Sequence, residues 1–81
     1  MTNTEKIIAD FFVKREGEEI LNHLHKIDFI DSGYIDSLDL VVLADYIEQS
    51  FNVKIDLMDE DVFKSVRKFE SLVKLIDEKI K

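Results

Sequence analysis

The chain reads as an all-α protein: a small four-helix bundle of three longer helices and one short helix, with a long ordered loop between the first and second main helices. Three observations predict this. Apolar residues recur at helical spacing over most of the chain, and nowhere alternate for long enough to make a strand. Proline is absent, and Gly17 and Gly33 are the only glycines, so few breaks are encoded. The 81 residues form one domain, 1–81, whose 46% hydrophobic content suffices for a single small core.

The first helix is expected from about Thr4 to Arg15, with Ile7, Ile8, Phe11 and Phe12 on one face and Thr2 or Thr4 as N-cap. Gly17 interrupts it. In the connection that follows, Ile20, Leu21, Leu24 and Ile27 keep helical spacing for one or two turns. The pattern then dissolves into Asp28-Phe29-Ile30-Asp31-Ser32-Gly33-Tyr34-Ile35. Loops this long in small domains are functional or disordered, and the apolar content argues against disorder. Leu24, Ile27, Phe29 and Ile30 are expected to pin the segment to the core.

The second main helix is expected from Ser37 to about Ser50. Leu40, Leu43, Ala44, Ile47 and Phe51 fall at i, i+3, i+4, i+7 and i+11, a buried stripe. A break at Asn52-Val53-Lys54-Ile55 precedes one short turn over Asp59 to Phe63. Ser65 is then expected to cap a last helix through about Lys79, with Val66, Phe69, Leu72, Val73, Ile76 and Ile80 facing inward.

Composition removes several functions. Zero cysteines exclude disulfides and thiolate metal sites. A net charge of −7, from 18 acidic and 11 basic residues, argues against nucleic acid and favours monomers that meet partners bearing basic patches. No run approaches a membrane span, and the first residues lack a basic segment followed by an apolar one, which predicts a cytoplasmic protein. No metal site is expected: Asp28, Asp31 and Asp36 do not follow the spacing of a calcium-binding loop. No catalytic residues are expected either. His23 and His25 are the sole histidines, they lie in a different segment from Ser37, and no Gly-x-Ser-x-Gly turn surrounds that serine.

Attention therefore falls on Asp36-Ser37-Leu38, at the mouth of the second main helix. With Asp36 as N-cap, Asp39 stands at N3 of a capping box, and Ile35 and Leu40 form a hydrophobic staple. Ser37 is then at N1, where its hydroxyl is not needed for capping and points to solvent. A phosphate there would lie against free backbone N–H groups and the positive end of the helix dipole. Repulsion from Asp36 and Asp39 limits that gain to about 0.3–1 kcal/mol. On a helical wheel Ser37, Leu38, Val41, Asp45 and Glu48 share one exposed flank, with Val42 nearby. A flank that mixes Leu, Val and acidic residues beside a free serine suggests an attachment point with a docking surface. Taken alone, Ser and Asp at a helix start describe a cap, and scattered exposed apolar residues are ordinary.

Residues 33–51, Gly-Tyr-Ile-Asp-Ser-Leu-Asp-Leu-Val-Val-Leu-Ala-Asp-Tyr-Ile-Glu-Gln-Ser-Phe, resemble the motif and following helix of the acyl carrier protein family. The resemblance continues through Phe51-Asn-Val-Lys-Ile55, the acidic Asp59-Glu-Asp61 and Lys64-Ser65-Val66. It implies that Ser37 carries 4'-phosphopantetheine, donated from coenzyme A by a phosphopantetheinyl transferase, with Asp36 and Leu38 as motif support. It also implies that acyl or aminoacyl groups travel as thioesters on that arm, loaded by a ligase or transferase and passed to downstream biosynthetic enzymes. Docking is expected through Asp39, Asp45 and Glu48 with Leu38, Val41 and Val42.

Three departures bear on the pathway. Gly33 stands three residues before Asp36, not two, similar to stand-alone D-alanyl and aminoacyl carriers. Val42 replaces a common acid, and Asp45 a common apolar residue. Asp56 stands where a proline is frequent. These favour a dedicated partner set in a specialised or secondary-metabolic cluster over general fatty-acid synthesis. The competing reading is an unmodified helical protein-interaction module on a carrier-like fold.

Overall fold

Thr2 and Glu5 start the first helix by capping each other. The Glu5 N–H donates to Thr2 Oγ1 at 3.2 Å, and the Thr2 N–H donates to Glu5 Oε1 at 2.8 Å. In the computed structural model, which describes residues 1–81, this helix, α1, spans Asn3–Glu16. Ile8, Phe11 and Phe12 are buried as the spacing predicts, while Ile7 is only half-buried. Gly17 ends the helix at φ +92, a conformation that side chains rarely adopt, and its N–H caps the Val13 carbonyl at 2.8 Å.

The connection holds one 3₁₀ turn, Glu18–Asn22, and then irregular backbone to Asp36. The tighter 3₁₀ period buries Ile20 and leaves Leu21 exposed, so the α-helical spacing read there does not hold. Leu24 and Phe29 are fully buried anchors, as is Ile35, whereas Ile27 and Ile30 are half-buried. Phe29 stacks against Phe12 with ring centroids 4.3 Å apart. The loop is thus ordered by the core it covers.

The second helix, α2, spans Ser37–Phe51 and buries Leu40, Leu43, Ala44 and Ile47. Asn52 closes it in the left-handed conformation at φ 55, ψ 48. Tyr46 ties α2 to α1: its hydroxyl donates to the Ile7 carbonyl at 2.7 Å, and its ring lies 5.1 Å from that of Phe11. A short helix, α3, spans Glu60–Ser65 under an Asp59 cap, and α4 spans Phe69–Lys79. Thr4 of α1 donates to Asp77 of α4 at 2.7 Å, closing the bundle end to end. The whole is a small all-α bundle with no strand. It has one isolated antiparallel bridge, Asp28 with Lys68.

Two expectations about the last helix are corrected. Ser65 does not cap it; Ser65 ends α3, and the N-cap of α4 is Lys68. The reason is tertiary: Lys68 is extended (φ −129, ψ 147), and the Arg67 carbonyl accepts the Phe29 N–H at 2.7 Å instead of an intrahelical one. Ser71 Oγ donates to the Ser65 carbonyl at 2.6 Å and stitches the two helices across the gap. Ile80 does not face inward. It is 47% exposed as the C-cap residue just past the end of α4, although its N–H still bonds the Ile76 carbonyl at 3.0 Å.

Candidate functional site

Ser37 is the first residue of α2, and the cap beneath it is the one the sequence predicts. Asp36 Oδ1 accepts the Asp39 N–H at 2.8 Å, and Asp39 Oδ2 accepts the Asp36 N–H at 3.4 Å. Ile35 and Leu40, the staple pair, are both buried. Since Asp36 supplies the cap, the exposed Ser37 side chain is left out of the helix's own hydrogen bonding. A phosphodiester fits here: the hydroxyl is accessible, and the helix N-terminus favours an anion.

The remaining flank divides into apolar and acidic members. Leu38 is 78% exposed, and Val41 and Val42 are 58% and 52% exposed. Isolated exposed apolar residues are common, but three within five positions beside the serine form a patch. Among the acids, Asp45 is exposed and makes no ion pair within the chain. Glu48 is half-buried and accepts the Ile55 N–H at 2.7 Å, so one of its oxygens closes the turn after α2.

Asp39 is held from the opposite side by Arg15, whose Nη2 lies 2.9 Å from Asp39 Oδ1. The Arg15 guanidinium also sits 5.5 Å above the Phe11 ring, which fixes it at the end of α1. Desolvation works against ionising Asp39, but the Asp36 N–H and the Arg15 guanidinium outweigh it and hold the carboxyl below its ordinary 3.8. The site thus contains a cation that helical spacing cannot reveal, because Arg15 and Asp39 lie on different helices.

The loop leading to Ser37 is bolted down as well. Asp28 Oδ1 accepts the N–H groups of Ile30 and Asp31, each at 2.9 Å, and Asp28 Oδ2 pairs with Arg67 Nε at 3.1 Å. Arg67 Nη2 reaches Asp31 Oδ1 at 2.8 Å. The Ile35 N–H donates to the Phe29 carbonyl at 2.9 Å, so the residue two before the serine is fixed to a buried anchor. Arg67, like Arg15, has no local signal in the sequence, because its partners Asp28 and Asp31 lie on a distant segment. Met58, 94% exposed in the turn before α3, is a further apolar group that spacing did not select.

The two surface grooves of the molecule lie elsewhere. The larger, about 670 Å³, runs between the start of α1 and α4 past His25, Lys74 and Asp77, and Val73 is its single hydrophobic wall. The smaller shares His25, Glu70 and Lys74 with it. Neither is an apolar chamber for an acyl chain. No helix is long and apolar enough to cross a membrane.

A small helical bundle with an exposed, uncommitted serine at the start of its second main helix is the class of protein that the fold and site define. Comparison with known families identifies that class: the phosphopantetheine attachment site profile matches residues 14–76, most of the chain. The chain belongs to this family of carrier domains, which bear covalently attached 4'-phosphopantetheine. No curated protein and no solved structure gives a significant match.

Proposed function

We propose that Ser37 is the attachment residue and that the protein carries acyl or aminoacyl intermediates between enzymes without catalysing a reaction itself. The observation that carries this reading is the division of labour at the mouth of α2. Asp36 does the capping, and Ser37 stands beside it exposed and uncommitted. When bound, the prosthetic arm supplies a terminal thiol that holds cargo as a thioester.

The chain's own contribution is positional. α2 keeps Ser37 at a rigid helix start, where a transferase can reach the hydroxyl, and its N-terminal N–H groups favour the phosphate that results. Leu38, Val41 and Val42 offer an apolar contact, and Asp45 supplies charge for partners with basic surfaces. Asp39 and Glu48, expected to join it, are already engaged by Arg15 and by the Ile55 N–H. Tethering raises the effective concentration of cargo at each docked enzyme. The spacing from Gly33 to Asp36 supports an aminoacyl-type or specialised pathway over general fatty-acid synthesis. The acidic composition supports a cytoplasmic monomer that meets its transferase, loading enzyme and downstream enzymes transiently.

Intact mass after incubation with coenzyme A and a broad-specificity phosphopantetheinyl transferase tests the proposal. Wild type is expected to gain one phosphopantetheinyl group and Ser37→Ala none. A folded, previously unmodified wild type that gains nothing would instead favour an interaction module that has lost modification.

A further inference from the structure

We infer that Arg15 is a specificity-determining residue that occupies Asp39 from within and so weakens the docking of cationic enzymes at the mouth of α2. The inference rests on the carrier reading above and adds an intramolecular competitor to it. Three acids were expected to serve partners from the flank of α2, but they are not equivalent. Glu48 gives an oxygen to the Ile55 N–H, and Asp39 is engaged on one side by the Asp36 N–H and on the other by Arg15 at 2.9 Å. Only Asp45 stands exposed and unpaired.

The Arg15–Asp39 pair lies at the rim of the site but is partly shielded from solvent. The two side chains are 32% and 29% exposed, and Arg15 is held by the Phe11 ring beneath it. A lysine or arginine presented by a partner must displace Arg15 from Asp39, or meet its like charge at short range. Both lower affinity without touching the apolar patch of Leu38, Val41 and Val42. For a carrier this has a use, since a protein that visits several enzymes must leave each one quickly, and release rate is where affinity differences mostly act.

The phosphopantetheinyl transferase is a suitable probe, because it must reach Ser37, two residues from Asp39 at the same helix start. KM for the apo carrier would be measured at low ionic strength with coenzyme A saturating. Arg15→Gln is expected to lower KM by about three- to tenfold with kcat little changed, as release of a screened rim charge would do. Lys14→Gln removes the same charge from the adjacent residue, whose partner is Asp10 at 3.1 Å, and is expected to change KM less than twofold. In an Asp39→Asn background the Arg15→Gln gain should vanish.

Arg15→Lys covers the case in which Arg15→Gln does not fold. It keeps the charge but loses the planar fork, and its KM is expected between the other two. The inference is overturned if Arg15→Gln matches Lys14→Gln, if its gain persists with Asp39→Asn, or if Arg15→Lys equals wild type when Arg15→Gln is unfolded. A wild type that accepts no phosphopantetheine at all would sink the carrier reading itself. Modification without an Arg15 effect would sink only this inference.

Discussion

Arg67 and Asp28 face each other across the loop that leads to Ser37, with Nε 3.1 Å from Oδ2 and the two side chains 30% and 18% exposed. This pair connects the turn between α3 and α4 to the segment that positions the serine. Around it the Phe29 N–H donates to the Arg67 carbonyl and Asp28 bridges to Lys68, so side chain and backbone join the same two segments.

Removing Arg67 should therefore loosen the loop and destabilise the fold in a pH-dependent way. Arg67→Ala is expected to cost about 1–2 kcal/mol at neutral pH, between the values for exposed and buried pairs. Desolvation opposes ionisation of Asp28, but the N–H groups of Asp31 and Ile30 and the Arg67 guanidinium outweigh it and hold its carboxyl below 3.8. A carboxyl lowered in the folded state stabilises above its unfolded value and loses that contribution as pH falls through the folded one. The gap between wild type and Arg67→Ala in urea melts should accordingly be full above pH 5 and shrink below about pH 4. A gap that stayed constant down to pH 3 would show that the pair contributes packing, not charge.

The cap beneath Ser37 gives a second expectation. Asp36→Ala removes the acceptor for the Asp39 N–H and should cost about 1 kcal/mol, whereas Asp36→Asn keeps an acceptor and should retain most of the stability. Thermal melts of both variants test this. Equal losses would mean that the charge against the helix dipole, and not the cap bond, is what stabilises the start of α2.

How much of this was readable in the sequence depends on the range of the interactions involved. The cap and staple of α2 are legible because Ile35, Asp36, Asp39 and Leu40 lie within a few residues of Ser37. Its stripe follows from the helical period except at Phe51, which is only half-buried at the end of the helix. The division between α3 and α4 is not legible. Ser65 has the right chemistry for an N-cap, but the Arg67 carbonyl is claimed by Phe29, which lies far away in sequence. Arg15 with Asp39 and Arg67 with Asp28 escaped for the same reason, since no periodicity links residues on different elements. The turn expected around Leu21 does form, but as a 3₁₀ turn, which buries Ile20 and leaves Leu21 exposed.

Gly17 offers a clean test of backbone strain. It adopts φ +92, ψ 167, a region nearly exclusive to glycine, and an added Cβ would meet nothing within 4 Å. Gly17→Ala should thus cost about 1–3 kcal/mol from conformation alone. Chemical denaturation would measure it. A neutral result would mean that the end of α1 relaxes to another C-cap when glycine is lost.

The last expectation separates core from surface along the helices themselves. Leu43 and Phe69 are each 1% exposed and belong to the single core cluster. Truncating either to alanine removes buried area and leaves a cavity, at about 2–5 kcal/mol. Ile80 lies beyond the end of α4 and is 47% exposed, so Ile80→Ala should change stability by less than about 0.5 kcal/mol. The three variants, compared in one set of urea melts, test the register of α2 and α4 together. A costly Ile80→Ala would mean that α4 extends past Lys79 and packs its last turn inward. A neutral Phe69→Ala would displace the start of α4, and with it the turn through which Arg67 reaches the loop before Ser37.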